Sequence, residues 1–382
     1  MKDANEKLKK VLDLCNVKIN IEGIEDFFKP LGGDPKDKAK RSLDALRASA
    51  HYYLGIALID LSEFDEAIEQ FKIAEKLYRE LKDFVEELKC KSWMKRVEIL
   101  KDWEFGKPIK YDLMEEALDV WHKLDLESKS YLCGEYIVSL ALDGYSKKDL
   151  EFFEKVGVFI PEVLAMSCGI LSLLNSDILK FVLKIEELKK KIVRDLENES
   201  IDFEEDDITR LMALQILNNY DVETSKGLKD EFERRMRIVE NFDEEISSLK
   251  DRGYDEEEAK KILGLMFRGL GLLNFAKKVY EENKREAERL VKLTTTANSL
   301  HAFGRILLLI LASRMSSLKL TFNFEVKDPI TDAIILALAE AEYWTNLNPT
   351  LGRLFLNLAE ALDKNDEKKL KTAVVKLFYF HV

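Results

Sequence analysis

Apolar residues recur at intervals of three and four along most of this 382-residue chain. Because this spacing matches the period of the α-helix, it predicts amphipathic helices rather than strands. The six prolines are far apart, so most segments between them can run as uninterrupted helix. The pattern predicts an all-α protein, and it is clearest in the segments that begin at Leu43, Asp65, Asp112, Asp255 and Asp332.

One segment departs from the helical pattern. In "LKLTFNFEV", residues 318–326, apolar residues alternate with polar ones from Leu320 onward, which is typical of a strand. A lone strand has no sheet to join. We therefore expect an extended connector here.

Two breaks divide the chain. The Gly/Pro cluster "KPLGGDPKD" separates a short N-terminal segment from a long helix predicted to begin near Pro35, since proline suits a first helical turn. Residues 186–207 are dominated by charge and end in an acidic run, as expected of an exposed helix that leads into a loop. We place a boundary near residue 200, which predicts an N-terminal helical region of residues 1–200 and a C-terminal helical region of residues 201–382.

Residues 50–74, "AHYYLGIALIDLSEFDEAIEQFKIA", read as a pair of helices joined by a short turn. Small and large residues stand at fixed intervals in this pair, and the spacing resembles that of one tetratricopeptide repeat, through Leu54, Gly55, Leu58, Ala67, Phe71 and Ala74. Two positions depart from the family pattern. Ser62 replaces the usual turn glycine, and Arg79 replaces the usual proline, which lets the second helix continue to about Leu81.

The same spacing returns in the second half of the chain, with Gly271 at the position of the turn glycine. A glycine inside a helix costs about 1 kcal/mol relative to alanine, so Gly55 and Gly264 indicate close approach of helices. Weaker echoes occur at Leu351-Gly352 and Phe303-Gly304. The resemblance implies an irregular α-solenoid of tetratricopeptide-like helical hairpins, and a compact multi-helical bundle is the alternative. The second match consists of Leu263, Gly264, Phe267, Gly271, Leu273, Ala276 and Tyr280.

In tetratricopeptide folds the first helix of each pair lines a groove, and carrying this over assigns seven candidate partner-binding residues. Aromatic and thioether side chains beside acids suit an amphipathic or basic peptide helix. The resemblance thus implies a non-enzymatic scaffold that binds a protein or peptide partner, or that assembles with itself as a homo-oligomer. Packing of Trp93 and Met94 between helices is the alternative. The candidates are Tyr52, Ile56, Ile59, Asp60, Glu86, Trp93 and Met94.

The sequence contains only weak signals for a catalytic site. The glycines of "GLMFRGLG" do not form a phosphate-binding loop, because no Lys-Ser/Thr pair follows them. Arg47 and His51 are similar to the Arg/His pair of HEPN-type ribonucleases, but only three residues separate them, and we expect His51 to be packed. The four cysteines and four histidines are too scattered for a zinc site. We expect no catalytic residue, no metal and no cofactor.

Charge and composition limit the remaining classes. The formal net charge of −12 argues against duplex DNA or an anionic membrane as the partner. RNA is the alternative, contacted through local basic faces at residues 189–194 and 234–237 by a subunit of a nucleic-acid-processing or defence complex. The N-terminus lacks the apolar core of a signal peptide, which predicts a cytoplasmic location. Two glutamines beside abundant Lys and Glu are typical of thermophiles.

Overall fold

The computed structural model describes residues 34–110, 112–144, 161–174, 225–314 and 324–381, together with residues 10, 149 and 322. This part of the chain contains fifteen α-helices and no strand. The all-α prediction is therefore confirmed. The helices are numbered α1 to α15 in chain order.

The chain divides into two compact units. The first unit comprises Met1–Trp103, Lys110–Ser128 and Leu347–Thr350. The helices that begin in it are α1 (Pro35–Asp60), α2 (Phe64–Leu81), α3 (Phe84–Asp102), α4 (Leu113–Val120), followed by a 3-10 turn at Trp121–Lys123, and α5 (Leu126–Asp143).

The second unit comprises Glu104–Ile109, Lys129–Asn346 and Leu351–Val382. Residue 200 lies outside the described residues, so the predicted boundary there stays a prediction. The remaining helices are α6 (Pro161–Leu174), α7 (Ser225–Glu240), α8 (Phe242–Asp251), α9 (Glu256–Met266), α10 (Leu270–Glu282), α11 (Lys284–Thr294), α12 (Ser299–Arg314), α13 (Pro329–Leu347), α14 (Pro349–Asp363) and α15 (Glu367–His381).

The first hairpin, α1 and α2, follows its sequence signals. Asp34 caps α1 by accepting a hydrogen bond from the backbone N of Lys36 at 2.9 Å, and the helix begins at Pro35 as predicted. Ser62 lies in the turn with φ of 65°, where the family usually has glycine. The second helix runs to Leu81, which confirms the expected extension.

Gly55 brings α1 close to α2. A Cβ atom at this position would lie 2.8 Å from the ring of Phe71, which is fully buried. No side chain larger than hydrogen fits without moving that ring. The glycine predicted to mark a close approach does so, and its neighbour is an aromatic ring of α2.

The second hairpin, α9 and α10, turns three residues earlier than the repeat spacing predicts. Helix α9 ends at Met266, and the chain reverses at Arg268 and Gly269, whose φ values are 61° and 139°. Gly271 was predicted to be the turn glycine, and this is wrong because it lies inside α10. The missing side chain of Gly271 leaves room for the Glu342 carboxylate, because a Cβ there would lie 2.9 Å from Oε2 of Glu342.

Glu342 of α13 caps the N-terminus of α10. Its carboxylate accepts from the backbone N of Gly271 at 2.8 Å and of Leu272 at 3.3 Å. The first N–H groups of a helix have no partner within the helix, and a carboxylate there also favours the helix dipole. This contact, together with the positive φ of Gly269, explains why the turn falls where it does.

Arginine side chains satisfy the carbonyls at other helix ends in the second unit. Arg235 is fully buried and donates to the carbonyl of Phe267 at 2.9 Å and to the hydroxyl of Thr295 at 2.8 Å. Arg305 donates to the carbonyls of Leu293 and Thr295, both at 2.9 Å. Carbonyls at a helix C-terminus carry partial negative charge, so a guanidinium stabilises them. Burial lowers the pKa of Arg235 to about 9.

The predicted connector, residues 318–326, has no regular structure over its described residues, 322 and 324–326. Further along the chain, Gly352 of α14 lies against the backbone of α13, where a Cβ would meet the N of Thr345 at 2.6 Å. The weak echo at this glycine therefore marks a close helix approach. Phe303 and Gly304 both lie buried within α12.

We expect Gly55→Leu and Gly264→Leu each to lower the free energy of unfolding by about 1 to 3 kcal/mol through overpacking. A Cβ at Gly264 would lie 2.9 Å from the Cβ of Leu270, so both sites lack room. Gly227→Leu is the matched control, because no atom lies within 4 Å of that position. Thermal denaturation measures the effect, and unchanged melting of the first two variants would contradict the packing described.

His381 predicts a dependence of stability on pH. Its Nδ1 donates to the carbonyl of Leu377 at 2.8 Å, its Nε2 accepts from the hydroxyl of Ser299 at 3.0 Å, and its ring stacks on Phe303. Only the contact with Ser299 needs the neutral ring, because a protonated imidazole still donates from Nδ1 but cannot accept at Nε2. Burial lowers the pKa of His381 from 6.5 to about 4.

Because the folded pKa is lower, the unfolded chain binds more protons between these two values, and stability falls as pH decreases from 6.5 to 4. We expect a loss of about 1 to 3 kcal/mol that is absent from His381→Gln. Urea denaturation of both proteins at pH 7 and pH 4.5 measures it. Equal pH dependence in the two proteins would contradict the assignment.

Candidate partner-binding face

Two of the predicted residues meet across α1 and α3. The indole Nε1 of Trp93 donates a hydrogen bond to the phenol oxygen of Tyr52 at 2.8 Å. Both side chains are half-buried. The contact joins the first and third helices, a juxtaposition that the repeat spacing predicts.

The ring of Phe71 in α2 contacts both side chains. It stacks on Trp93 with centroids 6.1 Å apart and meets Tyr52 edge-on at 5.8 Å. Burial raises the pKa of Tyr52 above its ordinary value, so the phenol stays protonated at neutral pH. Aromatic pairs of this kind contribute about 0.5 to 1.5 kcal/mol beyond their buried area.

Charged side chains of α3 lie beside the aromatic pair of Tyr52 and Trp93. The guanidinium of Arg96 lies 4.7 Å from the centre of the Trp93 ring, a cation–π geometry. Lys89 donates to the carboxylate of Glu86 at 2.6 Å. The predicted residue Glu86 is thus already paired on one side, and it lies at the border of the aromatic rings.

Two predicted residues are corrected. Ile59 is 2% exposed and belongs to the core, because it points towards the packed side of α1. Asp60 accepts a hydrogen bond from the amide of Asn348 at 2.7 Å, and burial raises its pKa above the ordinary value. Ile59 is therefore not accessible to a partner, and the carboxylate of Asp60 is engaged by Asn348. Ile56 and Met94 are half-buried, as a lining role requires.

Leu46 and Tyr53 were not among the predicted residues, yet they are the most accessible apolar side chains of α1. Leu46 is 53% exposed and Tyr53 is 59% exposed. They lie seven residues apart and so share one side of the helix. A signal for this surface was present in the sequence, since residues 48–59, "ASAHYYLGIALI", contain no charged side chain.

These side chains form one surface, which we call the aromatic face: Leu46, Tyr52, Tyr53 and Ile56 of α1 with Trp93 of α3. Tyr53 meets Tyr52 edge-on, with ring centroids 5.3 Å apart. Asp44 and Arg47, the charged residues of the turn before residue 48, pair with each other at 3.6 Å. Over residues 43–59 the exposed residues of α1 are therefore apolar, where a surface helix ordinarily carries charge.

The predicted basic face at residues 234–237 is largely occupied by the protein itself. Arg235 is buried, and Arg234 binds Glu231 at 2.8 Å and the carbonyl of Met266 at 2.7 Å. The other predicted basic segment, residues 189–194, lies outside the described residues. The acidic run at residues 204–207 also lies there.

Candidate catalytic groups do not assemble around Arg47 and His51. The imidazole Nδ1 of His51 is hydrogen-bonded to Oε1 of Gln70 at 2.7 Å, which accounts for it as a packed side chain. Burial raises the pKa of the Cys90 thiol far above its ordinary value, so it is no nucleophile. Within the residues that the structure describes, no three metal-binding side chains lie together.

Comparison of the chain with protein-family models, with curated proteins and with solved structures finds no match. The resemblance to tetratricopeptide repeats therefore stays a prediction from the residues. Over the described ranges, no single helix combines the length and the apolar character that a membrane span requires.

The contacts of Tyr52 and Tyr53 predict effects of different size for the same substitution. Tyr52→Phe leaves the Trp93 indole N–H without its acceptor, and we expect it to cost about 1 kcal/mol of stability. Tyr53→Phe removes an exposed hydroxyl and should stay within about 0.5 kcal/mol of the parent. Urea denaturation measures both. A Tyr52→Phe protein as stable as Tyr53→Phe would contradict the hydrogen bond.

Proposed function

We propose that this protein is a non-enzymatic helical scaffold that binds a protein partner through the aromatic face. The observation that carries the proposal is the charge-free run of residues 48–59, with Tyr53 exposed beside the paired rings of Tyr52 and Trp93. Exposed apolar surface of this kind is costly in an isolated protein and is typical of interaction sites.

The composition of the face supports this interpretation. Binding energy in protein interfaces concentrates in aromatic and arginine side chains that are desolvated by the partner. Tyr53 and Trp93 supply such rings, and Tyr53 is 59% exposed. The rings are held in place before binding by Phe71, which reduces the entropy lost on association.

We infer that the hairpins are of the tetratricopeptide type and stack as an irregular α-solenoid. The support is the α1/α2 pair, whose helix bounds, close approach at Gly55 and contact between first helices agree with that pattern. The RNA-binding alternative has less support, because Arg235 is buried and Arg234 is paired.

A double substitution at the accessible side chains tests the proposal. We expect Leu46→Asp with Tyr53→Asp to weaken partner binding by about 2 kcal/mol or more. Because both side chains are exposed, the variant should keep the parent helicity and melting temperature. The partner is first identified by photo-crosslinking from a benzoylphenylalanine at position 53 in native extract, and affinity is then measured by calorimetry.

Phe275→Asp with Tyr254→Asp is the matched control, since these residues are 48% and 44% exposed in the second unit. Only the control should retain binding. Equal binding by both double variants would place the interface away from the aromatic face. Affinity that falls steeply with salt and is removed by ribonuclease would favour the RNA alternative.

A further inference from the structure

A cleft of about 400 Å³ lies between α3 and α4, entirely within the first unit. Its apolar wall consists of Leu88, Val120 and the ring of Phe84, which is 49% exposed. Sites for small ligands have volumes of about 300 to 1,000 Å³, so this cleft has room for one long side chain of a partner. It shares no residue with the aromatic face.

The charged groups on the α3 side of the cleft are paired with one another. Lys91 donates to the carboxylate of Glu87 at 3.1 Å and also to that of Glu116. Glu87 accepts a second hydrogen bond from Nε of Arg79 at 3.1 Å. Because these charges compensate each other, they do not select the charge of a ligand.

The α4 side of the cleft is acidic. Asp119 lines the cleft, is exposed and has no ion pair among the described residues. Residues 112–127 contain six acidic residues, all exposed, against a single lysine, Lys123. This imbalance makes the electrostatic potential along α4 negative, which favours a cationic ligand.

An exposed aromatic ring and an unpaired carboxylate in one cleft match the chemistry of arginine. A guanidinium binds a carboxylate through two parallel hydrogen bonds and also stacks on an aromatic ring. Its methylene stem covers apolar surface, here Leu88 and Val120, while the charged head stays at the rim. Lysine makes the charge contact without the planar stacking.

We propose that the α3/α4 cleft is a second interaction surface, which takes an arginine side chain from a basic segment of a partner protein. The guanidinium pairs with Asp119 and stacks on Phe84, and its stem contacts Leu88 and Val120. The acidic residues that follow along α4 attract the other cations of the segment.

The probe is a displayed library of random peptides, panned on the full-length protein at low salt and depleted on the Asp119→Lys variant. We expect the enriched peptides to carry net positive charge and at least one arginine. Calorimetry with one such peptide then measures affinity. Asp119→Asn should weaken binding about tenfold or more, because it removes the charge from a hydrogen-bonded ion pair. Phe84→Leu should weaken it about threefold through loss of stacking.

Glu115→Gln is the matched control, since it makes the same change of charge on α4 at an exposed residue that does not line the cleft. It should weaken binding about twofold at most. Lys123→Gln should strengthen binding about twofold, because it removes a cation from the cleft. Replacing the peptide's arginine with citrulline removes its charge at nearly constant shape. Citrulline combined with Asp119→Asn should bind no more weakly than either change alone.

Equal losses in Asp119→Asn and Glu115→Gln, or additive losses for Asp119→Asn and citrulline, would overturn the arginine contact. A library that yields no peptide after depletion also overturns the inference. If the undepleted peptides bind Asp119→Lys but not Leu46→Asp with Tyr53→Asp, the cleft is ruled out and the proposed function is supported. Sedimentation that shows self-association, abolished by Asp119→Lys, would make a second copy of this chain the occupant and would overturn the separate partner.

Discussion

The first unit depends on the burial of one ring, that of Phe71. Gly55 gives it room on α1, Trp93 of α3 stacks on it, and Tyr52 meets its edge. One side chain with no exposed surface therefore contacts all three helices. The aromatic face exists because this ring holds Tyr52 and Trp93 where they can bond to each other.

The sequence was sufficient for the helical class and for the α1/α2 hairpin, because local signals decide them: a capping aspartate, an N-terminal proline and the spacing of small residues. It was insufficient for the α9/α10 turn. There the deciding contact comes from Glu342, seventy residues further along the chain. A long-range cap of this kind leaves no mark in the local pattern.

The candidate site was predictable only where local sequence signals determine it. The repeat spacing predicts that Tyr52 and Trp93 share one face, where they form a hydrogen bond. The hydrogen bond that Asn348 donates to Asp60 depends instead on a distant segment of the chain. Tyr53 was overlooked because the family pattern assigns the groove by position. The absence of charged residues over residues 48–59 indicates an apolar surface that includes Tyr53, and it does not depend on the family pattern.

Residues 347–350 carry a consequence for the design of truncated proteins. These four residues belong to the first unit although the rest of that unit ends at Ser128. Within it, the hydroxyl of Thr350 donates to the carbonyl of Ile59 and is hydrogen-bonded to Ser62, next to the bond between Asn348 and Asp60. A fragment that stops at Ser128 would leave the C-terminal end of α1 without these partners. An autonomous version of the first unit needs the tetrapeptide supplied in trans or joined through a linker.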